Sequence, residues 1–205
     1  PSSIVEIKPY AFIDCQSLTS VKLHSAVTSI GSSAFEGCNN LSTINIPASI
    51  TSIGKSAFQL CKSLSSVYIA TITSWCNIDF EDVSANPLCY SACMYIDDKA
   101  VTEVSIPSTF TEIKPYTFSG CNSLTSVTIG NSVTTIGERA FSACSNLTSV
   151  TLHEGITSVG AYAFAGTGIT EITVPASVAY IDIYAFNSSH LKTAKLLSKT
   201  PCQLG

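Results

Sequence analysis

Ile30-Gly31-Ser32-Ser33-Ala34-Phe35-Glu36-Gly37-Cys38-Asn39-Asn40-Leu41-Ser42-Thr43-Ile44-Asn45-Ile46-Pro47 decides the fold, because its pattern recurs along the chain. The Ile, Phe, Cys and Leu of this stretch return as Ile7/Phe12/Cys15/Leu18 and Ile53/Phe58/Cys61/Leu64. They return again as Ile113/Phe118/Cys121/Leu124 and Ile136/Phe141/Cys144/Leu147, with Thr117 in place of the Ala in the first of these. Within each run the copies lie 23 residues apart. Two further copies, Val159/Phe164/Ile169 and Ile181/Phe186/Leu191, lack the Cys and are one residue shorter between Phe and the last apolar position. Seven of the nine Phe residues occupy one repeat slot, which is the signature of a stacked repeat architecture.

Each copy also carries an alternating segment such as Leu18–Leu23, Leu41–Ile46 or Leu124–Ile129, whose period of two predicts a short strand with one buried face. A turn follows, often at Pro (Pro47, Pro107, Pro175), then a second extended piece, and the Ala-Phe-x-Gly-Cys stretch predicts a tight helical turn on the opposite wall. One such unit cannot bury its own apolar face. Stacking copies about 4.8 Å apart creates a continuous core and a parallel sheet. The expectation is an α/β repeat solenoid: a right-handed leucine-rich-repeat stack, with about eight short parallel strands on one side and short helical turns opposite. Predicted strand ends fall at Leu23, Ile46, Ile69, Ile106, Ile129, Leu152, Val174 and Leu196.

One interval breaks the spacing. Between Ile69 and Ile106 lie 14 extra residues, within 70–101, that include Trp75, Cys76, Cys89 and Cys93. This insertion is too short for its own core, so it reads as an elaboration packed against a single solenoid domain spanning residues 1–205. Asp97-Asp98-Lys99 reads as a hairpin turn within it. Neither end carries the polar cap of a terminal repeat, so the chain reads as a stretch of a longer array.

Composition narrows the function. Charged residues make up 12%, about half the usual share, while Ser and Thr together number 54 of 205. A net charge of −4 removes the basic footprint of nucleic-acid or anionic-membrane binding. No apolar run approaches the roughly 18 residues of a membrane span.

The pattern I-G-x-x-A-F-x-x-C-x-x-L-x-x-V/I-x-I-P, as in Gly31 through Pro47, resembles the BspA-like leucine-rich repeats. Trp75-Cys76-Asn77-Ile78, Asn86-Pro87-Leu88 and Tyr95 through Pro107 are similar to an irregular repeat found within such arrays. The resemblance covers nearly the whole chain. It implies a secreted or surface-anchored bacterial protein, extracellular or at the cell surface. It also implies adhesion to host extracellular matrix proteins or to other cells.

Candidate chemistry is sparse. Cys15, Cys38, Cys61, Cys121 and Cys144 share one slot and so form a ladder. With no CxxC and no His beside them, and with a stacking distance wider than a disulfide prefers, they read as buried free thiols, with no metal site. For Cys76, Cys89, Cys93 and Cys202 a disulfide stays open. His24 and His153 occupy an exposed turn slot several repeats apart, and neither has a nucleophile and orienting group in view. No catalytic residue and no cofactor is expected. The binding candidate is the outward face of the sheet, with Lys22, Thr43, Asn45, Ser66, Tyr68 and Glu103 on strands, and Trp75 projecting from the insert beside Tyr68. Repeat proteins bind along such a face. The expectation is therefore a non-catalytic module that binds protein ligands. The alternatives are a structural spacer that displays another domain, or a carbohydrate-binding module.

Overall fold

The computed structural model describes residues 3–187 and 189–197, so Cys202 lies outside the described residues. All eight expected strands are present, among them Thr43–Ile46, Ser66–Ile69, Glu103–Ile106, Ser126–Ile129 and Glu171–Val174. They pair in parallel at the repeat spacing: Thr43 faces Ser66 and Ile44 faces Val67, while Val104 faces Val127. The alternation works as the period of two requires. Ile44, Ile46, Val67 and Ile69 are buried, and the residues between them point outward. A second parallel wall is made of two-residue strands such as Ser29–Ile30, Ser52–Ile53 and Thr135–Ile136.

The third wall differs from expectation. In place of helical turns it is a run of hydrogen-bonded turns, and the one α-helix among the described residues is Ile72–Cys76 in the insert. The physical reason is two left-handed residues per copy, four apart: Ser33 with Gly37, Ser56 with Leu60, Arg139 with Ala143. A positive φ at every fourth residue reverses the chain before a helix can propagate. Gly120 shows why the second of these positions favours glycine. Its φ is +79° and a Cβ there would collide with the Leu88 carbonyl oxygen.

Between the walls, the Phe slot forms a column of parallel rings. Phe12–Phe35, Phe35–Phe58, Phe118–Phe141 and Phe141–Phe164 lie 5.2–5.5 Å apart, within 9° of coplanar. The cysteines line the same interior and cross-link successive coils without a covalent bond. The Cys38, Cys61 and Cys144 thiols donate to the Phe12, Phe35 and Phe118 carbonyls at 3.0–3.1 Å. Surface hydroxyls do the same from outside. Ser42, Thr125, Thr134 and Thr157 each donate to the carbonyl 23 residues earlier, at 2.9–3.2 Å. Much of the Ser and Thr content is thus a coil-to-coil clamp.

The insert corrects the reading of a segment packed against the stack: it is wound into the stack as an oversized coil. Asp79–Phe80 pairs with Ser52–Ile53, and Cys93–Ile96 adds a ninth parallel strand beside Ser66–Ile69. The hairpin turn stands as expected, with Asp97 and Asp98 both at positive φ and Lys99 pairing back to Ile96. Beyond it the sheet does not continue directly, and Glu103–Ile106 opens a new three-stranded segment. Side chains stitch the junction. The Trp75 indole N–H donates to the Thr117 carbonyl at 2.7 Å, Asn86 donates to Tyr116 at 2.6 Å, and Lys114 meets Asp79 at 2.6 Å. One contiguous core cluster runs from Ile7 to Ala185.

Candidate functional site

The sheet face gathers most of the expected binding residues. Lys22, Asn45 and Tyr68 stand opposite one another on three neighbouring strands, and Thr43 faces Ser66 one row away. Lys22, Thr43, Asn45 and Tyr68, together with Ser20, line a shallow groove of about 380 Å³. Tyr68 does not stand alone. Tyr95, opposite it on the ninth strand, stacks on it with ring centroids 5.1 Å apart. The oversized coil thereby doubles the aromatic surface, since offset ring pairs of this separation are mutually attractive. Tyr95 escapes sequence reasoning because its segment reads as a loop-rich insert, although Cys93-Met94-Tyr95-Ile96 does alternate as a strand should.

Three expected residues behave differently. Trp75 is a correction: it is 1% exposed, packs 5.2 Å from Phe80 and spends its only donor on Thr117, so no ligand reaches it. The short helix that carries it, capped by Thr71, turns its side chain inward. Asn45 sits on the face, but its amide is engaged at both ends. It accepts from the Leu23 N–H at 2.6 Å and donates to the Leu23 carbonyl at 2.9 Å, extending the ladder beyond the end of the strand Ser20–Lys22. Glu103 is exposed, yet it belongs to the second sheet segment, separated from Tyr68 by the hairpin.

The cysteine chemistry is quiet. All eight cysteines among the described residues are free, including Cys76, Cys89 and Cys93. Burial pushes the Cys61, Cys76 and Cys89 thiols up to about 12, and Cys121 to about 11. A thiol held neutral is neither a ready nucleophile nor a ready metal ligand. No group of three metal-ligating side chains occurs among the described residues. The histidines of the turn slot clamp the chain, with Nδ1 of His24 and His153 accepting from the N–H two residues on, at 3.1 and 2.9 Å.

A second ordered surface lies on the turn wall. Arg139 places its guanidinium 4.2 Å from the Tyr162 ring centre, and Tyr162 stacks on Tyr184 at 5.0 Å. These residues share the left-handed slot two positions before the column Phe, which the repeat register makes legible.

The architecture has counterparts in known proteins. Residues 1–87 and 89–201 match the BspA type leucine rich repeat region, in six copies. No curated protein matches the chain. Among solved structures, a leucine rich cell surface protein from Faecalibacterium prausnitzii is 27% identical with a TM-score of 0.59, over 88% of this chain and 48% of that one. A leucine-rich repeat protein from Bacteroides ovatus (22% identical, TM-score 0.56) is covered over 64% of its length, with 95% of this chain aligned. The pneumococcal vaccine antigen PcpA (16% identical, TM-score 0.53) is covered over 60% of its length, with 96% of this chain aligned. The latter two share the fold, and this chain spans about half to two thirds of the length of all three. No helix among the described residues is long and apolar enough to cross a membrane. From its repeat slots, its parallel strand walls and this family match, the chain belongs to the BspA-type leucine-rich-repeat family.

Proposed function

We propose that the chain is a non-catalytic binding module, secreted or displayed at a bacterial cell surface, that holds protein ligands on its sheet face. The observation that carries the reading is the Tyr68–Tyr95 pair beside Lys22, Thr43 and Ser66. Tyrosine supplies large contact area with few rotors, which is why it concentrates at interface hot spots. The surrounding hydroxyls form a polar rim. Host extracellular matrix proteins and proteins of neighbouring cells are the ligand classes to test, in keeping with the cell-surface description of the Faecalibacterium relative.

A spacer role is the second reading, and the hydroxyl clamps between coils favour it, because they give the Ser and Thr content a purely structural use. Binding to immobilised matrix proteins separates the two. The module reading expects saturable binding that Tyr68→Ala or Tyr95→Ala weakens by about tenfold or more, the loss of one hot-spot residue. Absence of binding by the folded protein favours the spacer.

A further inference from the structure

The parallel ladder of the sheet face breaks a second time, at a place with no insertion. Strand Ser149–Thr151 pairs with Ser126–Ile129 behind it, and Glu171–Val174 pairs with Thr193–Leu196 ahead of it, but the two are not joined to each other. The cause lies in the repeat length. Apart from the oversized coil, the coils before this point run 23 residues from Phe slot to Phe slot, and the last interval, Phe164 to Phe186, runs 22. The missing residue falls between Phe164 and Ile169, just ahead of the strand. The cross-coil thiol is lost with it. Where Cys144 donates to Phe118 in the coil before, the buried Thr167 turns its hydroxyl to Phe164 of its own coil, at 2.9 Å. The two short coils match each other and the long ones match each other, so the mismatch opens the sheet where they meet. The second wall stays paired there, through Ser158–Tyr180, and the opening is confined to the sheet face.

The opening is a groove of about 470 Å³ lined by Ser149, Thr151, Glu171, Thr173, Thr193 and Lys195. Glu171 and Lys195 lie on adjoining strands one row apart, and neither takes part in an ion pair among the described residues. Five hydroxyls (Thr148 included), a carboxylate and an ammonium outside any ion pair line it, beside the facing edges of two unpaired strands. No aromatic side chain and no arginine lines the groove, so it lacks the anchors that a protein interface favours. Its lining, polar groups interleaved with Val150, Leu152 and Ile172, matches a ligand that alternates donors and acceptors with short C–H faces, as a saccharide does.

We propose that this groove is a saccharide-binding site, separate from the tyrosine surface, in which Glu171 accepts hydrogen bonds from sugar hydroxyls and Lys195 donates to a ring or carboxylate oxygen. The test is calorimetric titration of the protein with neutral, amino-sugar and uronic-acid oligosaccharides, alongside an extended peptide. The expected result is saturable binding of a saccharide that Glu171→Gln or Lys195→Met weakens by about tenfold or more, the cost of one hydrogen bond to a charged group. Tyr68→Ala should leave that binding unchanged, which keeps this site distinct from the proposed protein-binding face. Both groove residues are exposed, so the substituted proteins keep the wild-type melting temperature and remain valid reporters. The proposal is overturned if no saccharide binds the folded protein, if the groove substitutions leave binding intact, or if the groove takes only the peptide.

Discussion

Replacing Phe141 by Ala tests the repeat register at its centre. The ring is fully buried and sits between Phe118 and Phe164 at 5.4 Å on either side, tilted by only 3° and 5°. Truncation removes the transfer energy of the ring and leaves a cavity, which for a buried Phe costs about 3–5 kcal/mol. Two stacking contacts vanish as well, and the rigid walls above and below resist collapse into the gap, so the cost belongs at the upper end of that range. For a chain of this length such a loss lowers the melting temperature by about 10 °C or more. Phe12→Ala is the internal comparison: its ring is 40% exposed and has a stacking partner on one side among the described residues, so it should cost clearly less. Thermal unfolding followed by circular dichroism reads both. A Phe141→Ala melting curve within a degree or two of wild type would refute the column, and with it the assignment of every residue to its wall.

The same structure makes other commitments. Asn45→Ala should lower stability by about 1–2 kcal/mol through its two lost bonds to Leu23, whether or not ligand binding changes, and urea unfolding measures this. Asn86 is fully buried and holds Tyr116, Thr117 and Leu88, so Asn86→Ala should cost about 2–4 kcal/mol and loosen the junction at the oversized coil, as amide exchange of residues 112–120 would report. Ala143 occupies a left-handed slot with φ of 58°, so Ala143→Gly should leave stability unchanged or raise it by up to about 1 kcal/mol; a clear loss would contradict the turn geometry. The buried thiols of Cys61 and Cys76, and the half-buried thiol of Cys89, should resist alkylation near neutral pH until the protein unfolds. Because their folded values of about 12 exceed the ordinary 9, their stabilisation is complete below pH 9 and is lost as pH rises from 9 toward 12. Each contributes about 1.4 kcal/mol per pH unit in that window, which a series of alkaline melting curves would show.

What the sequence displays most openly is whatever the repeat enforces. Ile44, Phe35 and Cys38 recur at fixed intervals because each meets its own equivalent in the next coil, so wall, column and ladder can all be read from spacing. The turn wall misleads because Ala-Phe-x-Gly-Cys is compatible with a helical turn. Nothing in the letters shows that Ser33 and Arg139 take left-handed backbone, since neither is glycine. Trp75 is misplaced on the binding face, and Tyr95 is missed there, for a related reason. Inside the insert no equivalent residue fixes which side faces inward, and only the folded path shows that the indole reaches Thr117 while the phenol reaches Tyr68. The groove at Glu171 is written in the sequence as a single missing residue. Its consequence is visible only once neighbouring coils are stacked and the mismatch must open somewhere.

The central claim is that the sheet face at Tyr68 and Tyr95 is a protein-binding surface. Hydrogen–deuterium exchange of the chain with and without a matrix protein that it captures tests this most directly. The account predicts added protection in strands Thr43–Ile46, Ser66–Ile69 and Cys93–Ile96, with the turn wall around Tyr162 unchanged. Protection confined to the turn wall, with those three strands exchanging as in the free protein, would contradict it.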